Sequence, residues 1–175
     1  MILETERLYL REMTLHDLSA LSLVPCDPIN MTYYPHAFSK EEVKAWILRN
    51  MERYKIFGFG LWAVCLKETG EMIGDCRLTM QMIGDLIRPE IGYQIRRDMQ
   101  RKGYASEAAK AVRDYAFFNL PFGELYSYME NSNEGSVRTA LSYGCHEADG
   151  FVNDKGRNCR VFVICRKEWE ALYVS

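Results

Sequence analysis

The sequence has no excess of charge of either sign and no long apolar run. Its 22 basic and 24 acidic residues leave a formal net charge of −2, whereas proteins that bind nucleic acid or anionic membrane surfaces carry a cationic excess. The longest apolar run covers residues 61–66, far short of the ~20 residues that a membrane-spanning helix requires. We therefore expect no nucleic acid and no membrane among the partners of this protein.

Glycine and proline are also scarce, with 12 and 5 residues in a chain of 175. This scarcity excludes collagen-like, low-complexity and proline-rich linker sequences. An apolar fraction of 48% beside a charged fraction of 26% is typical of a globular protein with a buried core. Since the length corresponds to about one domain and no repeat or compositional break interrupts it, we predict a single domain over residues 1–175.

Metal-binding and export signals are missing as well. No Cys-x-x-Cys pair occurs among the six cysteines and the three histidines do not cluster, so we predict no metal site. Residues 1–7 contain acids where a secretory signal peptide has a basic start and an apolar stretch. We therefore expect a cytoplasmic protein whose cysteines are reduced and mostly buried.

The spacing of apolar residues predicts the order of secondary-structure elements. Alternation typical of strands occurs over residues 8–11, 61–66, 72–82, 89–95, 125–129, 145–152 and 160–165. Helical spacing follows Thr14 and Ser39, which carry acids three residues later as helix caps do, and begins again at Tyr104 and Glu134. The order β-α-α-β-β-β-α-β-α-β-β predicts an α/β fold (α+β mixed), with a mixed sheet flanked by helices.

One segment, residues 91–108, combines a strand end, a basic loop and the start of an amphipathic helix. The first N–H groups of such a helix have no intrahelical partner and lie at the positive end of its dipole, where phosphate binds readily. Gly103 permits close approach of a ligand to the main chain. Four cations crowd the same loop: Arg96, Arg97, Arg101 and Lys102. The segment indicates an anion site, although an ordinary strand-to-helix connection with solvated charges fits the pattern nearly as well.

Four motifs together resemble one protein family. Residues 100–105 match the Gln/Arg-x-x-Gly-x-Gly/Ala motif of the GNAT acetyltransferases. Residues 5–11 resemble the Thr-x-Arg-Leu-x-Leu-Arg start of the ribosomal-protein N-acetyltransferase branch, and residues 90–93 resemble its fourth strand. Residues 133–136, followed by 143–145, resemble its Asn-x-x-Ser … Gly-Phe segment. The chain thus resembles a GNAT enzyme of that branch over essentially its whole length.

The resemblance implies a GNAT acyl-CoA N-acyltransferase fold, in which the fourth and fifth strands splay apart and acetyl-CoA, the acyl donor, enters the gap. The pantetheine arm would lie along the fourth strand, and the pyrophosphate would lie on the N–H groups of the loop and helix start. The residues implied for the cofactor are Tyr93, Gln94, Ile95, Arg96, Arg101, Lys102, Gly103, Tyr104, Ala105 and Asn133. No metal is implied.

The implied reaction is direct attack of a primary amine, from a protein N-terminus or a small molecule, on the thioester. Glu90 occupies the strand position where some GNAT enzymes carry a catalytic glutamate, so it is the leading candidate for the general base, with Glu130 as a second. Ser136 matches a serine near the cofactor sulfur and Asn133 a cofactor-binding asparagine. A surface acid at Glu90, and helix caps at Asn133 and Ser136, are the alternatives.

One position departs from the family pattern. Many GNAT enzymes carry a tyrosine as general acid seven residues after the asparagine, where this chain has Ala140. Tyr143 lies three residues later and is expected in the core. The departure keeps open a non-catalytic GNAT-like module that binds CoA as a sensor or binds a partner protein.

By resemblance, the acceptor lies over the loop of residues 25–38 and the helix that follows. Tyr33, Tyr34, His36 and Phe38 are candidates for an aromatic wall that holds a cationic amine by cation–π contact; the alternative is that these aromatics seal the core. A protein N-terminus, a lysine side chain, a polyamine, an aminoglycoside and an amino acid all remain open as acceptors. A monomer and a homodimer both remain open as oligomeric states.

Overall fold

The computed structural model describes residues 1–173. Its strands are β1 (Leu3–Glu4), β2 (Leu8–Glu12), β3 (Leu61–Leu66), β4 (Met72–Ile83), β5 (Leu86–Ile95), β6 (Glu124–Glu130), β7 (His146–Val152) and β8 (Asn158–Cys165). Its helices are α1 (Leu18–Ser22), α2 (Lys40–Phe57), α3 (Tyr104–Asn119), α4 (Glu134–Ser142) and α5 (Arg166–Ala171), with 3-10 turns at Leu15–Asp17 and Arg97–Met99.

The eight strands form one mixed sheet in the order β1-β2-β3-β4-β5-β6-β8-β7. Neighbouring strands are antiparallel except β5 and β6, which run parallel. A parallel pair needs a crossover connection, and α3 supplies it between these two strands. This arrangement confirms the predicted α/β class, with a mixed sheet flanked by helices.

Helices cover both faces of the sheet because the central strands are apolar on both sides. In β3 the side chains of Leu61, Ala63 and Cys65 pack with Val43 and Ile47 of α2 in one cluster. The intervening residues Trp62 and Val64 belong to the main core, which α3 covers with Ala108, Ala109, Val112 and Ala116. Alternation along one strand therefore supplies two separate hydrophobic layers.

The two predicted helix caps are both confirmed. The Thr14 side chain accepts a hydrogen bond at the start of the first 3-10 turn, and the Asp17 carboxylate completes a capping box. Ser39 and Glu42 form the same arrangement at the start of α2. These caps satisfy N–H groups that a helix start otherwise leaves unpaired.

Three elements differ from the sequence-based prediction. Leu3–Glu4 adds an edge strand to β2 that is too short for a periodic signal. The fourth predicted strand begins at Leu86 instead of residue 89, because a tight turn at Gly84, with φ of 60°, joins β4 to β5. The six-residue α5 was not predicted. The predicted fourth and fifth strands are therefore β5 and β6.

The six cysteines all lie in the described part of the chain and have free thiols, four of them buried. Within residues 1–173 no helix is both long enough and apolar enough to cross a membrane.

Candidate active site

The parallel strands β5 and β6 separate toward their C-terminal ends, as the resemblance predicted. Their described residues share one registered pair, Glu90 opposite Tyr126. One step further, the Ser127 hydroxyl donates a hydrogen bond to the carbonyl of Ile91. A gap opens beyond this contact, and the C-terminal ends of parallel strands are where open α/β sheets bind ligands.

One side of the gap is a cleft of about 630 Å³, called here the loop-side cleft. It lies between the end of β5, the loop of residues 96–103 and the first turns of α3 and α4. Of the residues predicted for a cofactor, it is lined by Tyr93, Gln94, Ile95, Arg101, Gly103, Tyr104, Ala105 and Asn133. The prediction did not include Arg138 and Thr139 of α4, which line it too.

The backbone of this loop has an unusual shape. Arg101, with φ of 62°, is the one non-glycine residue of positive φ within residues 1–173, and Gly103 follows with φ of 85° as the N-cap of α3. No side chain caps this helix. Its first N–H groups are therefore free for a ligand, and a left-handed turn before a helix start forms a concave anion site. The cradle fits a pyrophosphate.

The N-terminal segment holds this loop in place. Arg7 donates a hydrogen bond to the carbonyl of Lys102 at 3.0 Å, and its guanidinium lies 2.6 Å from the Glu107 carboxylate and 4.6 Å from the centre of the Tyr104 ring. The Thr5 hydroxyl donates to the same carboxylate at 2.6 Å. Although partial burial opposes its charge, these hydrogen bonds lower the pKa of Glu107.

The four cations of the loop do not converge on the cleft. Arg97 and Arg101 line it. Arg96 instead pairs with Glu71 at 2.7 Å and with Asp98 at 2.6 Å, contacts that raise its pKa. The ammonium of Lys102 lies 3.6 Å from the sulfur of Met99. Arg97, although it lines the cleft, also pairs with Asp27 at 3.6 Å. Three of the four predicted cations therefore have other contacts, although their backbone lies in the loop.

The other side of the gap is a cleft of about 600 Å³, called here the Glu90-side cleft. It is shared with the loop-side cleft at Tyr33, Tyr34, Tyr93, Asn133 and Ser136. The two clefts therefore lie side by side, and together they are called here the passage, with those five residues at its middle.

Glu90 lies in the Glu90-side cleft but is only 2% exposed, so it is not a surface acid. Arg77 donates to its two carboxylate oxygens at 3.2 and 3.4 Å, and the Thr79 hydroxyl lies 3.4 Å from one of them. Burial opposes the charge of Arg77, but the carboxylate of Glu90 raises its pKa well above the usual value. Arg77 thus pairs with Glu90 at the floor of the cleft.

The residues at the middle of the passage have structural partners as well. The Asn133 side chain accepts a hydrogen bond from the N–H of Ser136, so it caps α4. The carbonyl of Ser136 accepts a hydrogen bond from the Tyr93 hydroxyl at 2.8 Å. Ala140 and Tyr143 are both fully buried, and the Tyr143 hydroxyl lies 2.6 Å from that of Ser127. Tyr143 is in the core, as predicted.

The structure separates the predicted aromatic wall into two pairs. Tyr33 and Tyr34 line both clefts. His36 contacts Glu42 at 2.9 Å, and Phe38 packs against Trp46 with ring centres 5.6 Å apart, so neither faces the passage. The second predicted base, Glu130, lies at the rim, paired with Arg157 at 2.8 Å.

Sequence reasoning missed the polar face of β4. Asp75, Arg77 and Thr79 alternate with the core residues Cys76 and Leu78, and this alternation was a visible signal. The sequence-based prediction of this strand used only its apolar residues. Among the described residues no three His, Cys, Asp or Glu side chains gather as metal ligands do.

Comparison with known proteins identifies the fold. The family model described as an acetyltransferase (GNAT) domain matches residues 7–146. The Bacillus subtilis protein YkkB is 37% identical over 145 residues, which cover 82% of this chain and 84% of that protein.

Two solved structures share the architecture at low identity. A ribosomal L7/L12 alpha-N-protein acetyltransferase in complex with coenzyme A superposes with a TM-score of 0.79 at 15% identity, covering 94% of this chain and 97% of that one. A spermidine N-acetyltransferase from Vibrio cholerae in complex with CoA and spermine gives 0.76 at 19% identity, covering 95% and 99%. At these identities the likeness is one of fold.

Proposed function

This chain belongs to the GNAT acetyltransferase family, and we propose that it transfers the acetyl group of acetyl-CoA to a primary amine by direct attack. The observation that carries the proposal is the passage itself. An anion cradle lies on one side, a buried carboxylate on the other, and Tyr93 and Ser136 lie where the two sides meet.

The loop-side cleft is the proposed site of acetyl-CoA. The left-handed backbone at Arg101 and Gly103 and the uncapped start of α3 suit the pyrophosphate. Arg97 and Arg101 add positive charge beside it. The pantetheine arm is placed along residues 93–96, where the separation of β6 leaves main-chain groups of β5 unpaired by that strand. The two solved structures of the same fold are complexes with CoA, which supports a CoA thioester as the donor.

The Glu90-side cleft is the proposed site of the acceptor. Acetyl-CoA supplies an electrophilic thioester carbonyl when bound. Glu90 takes the proton of the attacking amine, directly or through one water, since its carboxylate lines this cleft. A main-chain N–H at the end of β5 donates to the developing oxyanion. Ser136, at the junction of the clefts, is proposed to relay a proton from solvent water to the departing sulfur, so that its own hydroxyl is restored in the same step.

Charge in the Glu90-side cleft favours a cationic acceptor. Of the four acids that line it, Glu90 pairs with Arg77 and Glu130 pairs with Arg157. Asp85 and Asp154 then face one lining base, Lys155. The Tyr33 and Tyr34 rings at the junction add apolar and cation–π contact for an ammonium group. The acceptor classes that fit are a protein N-terminus and a small cationic amine. The two solved structures, with a protein and a polyamine in their names, show that one fold serves both classes.

The finer assignments are also proposals. The contacts of Thr5 and Arg7 with Glu107 give the opening motif a role in shaping the cofactor loop, which supports placement in the ribosomal-protein N-acetyltransferase branch. We assign residues 1–175 to one domain, of which the last two lie outside the described residues. We also propose that the enzyme is cytoplasmic and is a monomer or a homodimer.

Release of the CoA thiol in a screen of peptides and small amines tests the proposal. We expect thiol release that depends on an amine, and a melting temperature that rises with acetyl-CoA but not with NADH or ATP. Ala140, in place of the family's tyrosine, favours one alternative, a non-catalytic CoA-binding module. Intact acetyl-CoA binding with no release across the screen would establish that module. No binding at all would contradict both.

A further inference from the structure

A buried polar stripe lies beneath the proposed acceptor site. On β4 the side chains of Asp75, Arg77 and Thr79 share one face, since alternate residues of a strand do. Across the antiparallel register, Gln94 of β5 lies opposite Asp75, and Glu90 lies opposite Thr79. The stripe thus has one cation between two carboxylates.

Asp75 is the unusual member of the stripe. It is fully buried, and neither of its oxygens has a hydrogen-bond partner among the described residues. Arg77, one alternating position along and about 7 Å away at the backbone, directs its guanidinium to Glu90 instead. An ionised carboxylate without a partner in such a place is very costly, and a protein interior normally neutralises it.

The pairing of β4 with β5 gives a reason for Asp75 to carry a proton. The side-chain oxygen of Gln94, opposite Asp75, is also buried without a partner. Directly paired residues hold their β-carbons about 5 Å apart, so two sets of acceptors face each other with no donor between them. A protonated Asp75 carries an O–H donor for the Gln94 oxygen.

Electrostatics point the same way. Burial raises the pKa of Asp75 to about 7, with Arg77 lowering it and Glu90 raising it. The titratable groups near Asp75 come from several elements: Cys76 and Arg77 on β4, Glu90 on β5 and Tyr54 on α2. Tyr34, on the loop of residues 25–38, interacts electrostatically with Arg77. Arg49 and Arg53 of α2 line the small cavity that Arg77 and Gln94 also line.

We infer that Asp75 and Glu90 share one proton across Arg77, and that Asp75 is a positioning residue for the base Glu90. At rest the proton lies on Asp75, and Arg77 pairs with ionised Glu90. When Glu90 accepts the proton of the amine, Arg77 loses its counter-ion, and Asp75 replaces it by releasing its own proton toward solvent. Asp75 therefore makes protonation of Glu90 less costly. This role rests on the proposed function.

Infrared spectra of the protein without acetyl-CoA or acceptor test the shared proton directly. The carbonyl stretch of a protonated carboxylic acid disappears when the acid ionises during a pH titration. We expect one such band near neutral pH, absent in Asp75→Asn and retained in Asp149→Asn, which changes an exposed aspartate of β7. In Glu90→Gln the band should titrate at least about one pH unit lower, because Arg77 becomes the counter-ion of Asp75.

Two spectroscopic results would overturn the inference. One is the absence of a protonated acid near neutral pH, which would mean that the Gln94 amide turns its N–H toward an ionised Asp75. The other is a band whose titration does not move in Glu90→Gln. The comparison of Glu90→Gln with the wild type keeps Asp75 in place, so it tests the shared proton even if Asp75→Asn fails to fold.

The pH profile of kcat/KM tests the positioning role. Where Asp75 is protonated it is as neutral as asparagine, so the rate loss in Asp75→Asn should grow as pH rises towards neutral and disappear in acid, with the KM for acetyl-CoA unchanged. A loss of the same size at every pH would indicate a structural role only. Failure of all acetyl transfer would contradict the proposed function, while the infrared comparison still decides whether the proton is shared.

Discussion

Substitution of Asp75 by asparagine should make the stability of this protein less dependent on pH. A buried acid whose pKa is raised in the folded state binds a proton that the unfolded chain has already lost. The pKa of Asp75 rises from 3.8 to about 7, chiefly through burial. The native state therefore holds the extra proton between these two values, and the wild type loses stability as pH rises through that window.

The size of the effect follows from the same shift. Each unit of pKa difference corresponds to about 1.4 kcal/mol, so between about pH 5 and about pH 8 Asp75 should cost the wild type roughly 3 kcal/mol. Asparagine carries no proton to lose. The difference in free energy of unfolding between Asp75→Asn and wild type should therefore move by that amount in favour of the variant as pH rises.

Urea denaturation at several pH values measures this difference, provided that the slope m is the same in both proteins. Other titrating groups cancel because they are present in both. Asp149→Asn is the matched control, since its carboxylate is exposed, and its difference from wild type should stay constant with pH. A constant difference for Asp75→Asn as well would refute the reasoning, because Asp75 would then be ionised in the folded protein.

Three further substitutions test the site and the fold. Gly103→Glu places a negative charge and a side chain where the pyrophosphate is proposed, so acetyl-CoA affinity measured by calorimetry should fall at least tenfold (about 1.4 kcal/mol). The control is Gly58→Glu, at another left-handed glycine with open space around it. Equal affinity in both folded variants would count against the loop site. Glu90→Gln should lower the rate of acetyl transfer about 10²–10⁴-fold at pH 7 for a lysine-like acceptor. Deprotonating such an amine at pH 7 costs about 4.6 kcal/mol, so the rate should recover at high pH. A loss that high pH does not reverse would indicate a structural role. Gly74→Ala would bring a β-carbon within 2.1 Å of the Gln94 carbonyl oxygen, so it should lower the melting temperature sharply while Gly123→Ala, in open space, does not.

The sequence predicted the order of elements well because its signals are local. The caps at Thr14 and Ser39 and the periodicity of α3 each depend on residues within a few positions of one another. The strand Leu3–Glu4 was missed since two residues carry no period, and it forms only because β2 offers a free edge.

The candidate site was less predictable because side-chain direction depends on the folded backbone. Arg97 lines the cleft and pairs with Asp27, whereas Arg96 pairs with Asp98 and with Glu71. Asp27 and Glu71 both lie far away in sequence, so local spacing does not predict these contacts. Glu90 was predicted as a base, but its partner Arg77 lies on the neighbouring strand, and only the register brings them together. The polar face of β4, by contrast, is visible in the alternation of Asp75, Arg77 and Thr79 along the chain, but its burial is not.

Hydrogen exchange of the protein with and without acetyl-CoA tests the central claim, the placement of the donor between β5 and β6, most directly. The account predicts slower exchange of amides in residues 93–106 when acetyl-CoA is bound, with the strands β7 and β8 unchanged. Protection confined to another part of the chain, or no protection at saturating acetyl-CoA, would contradict it.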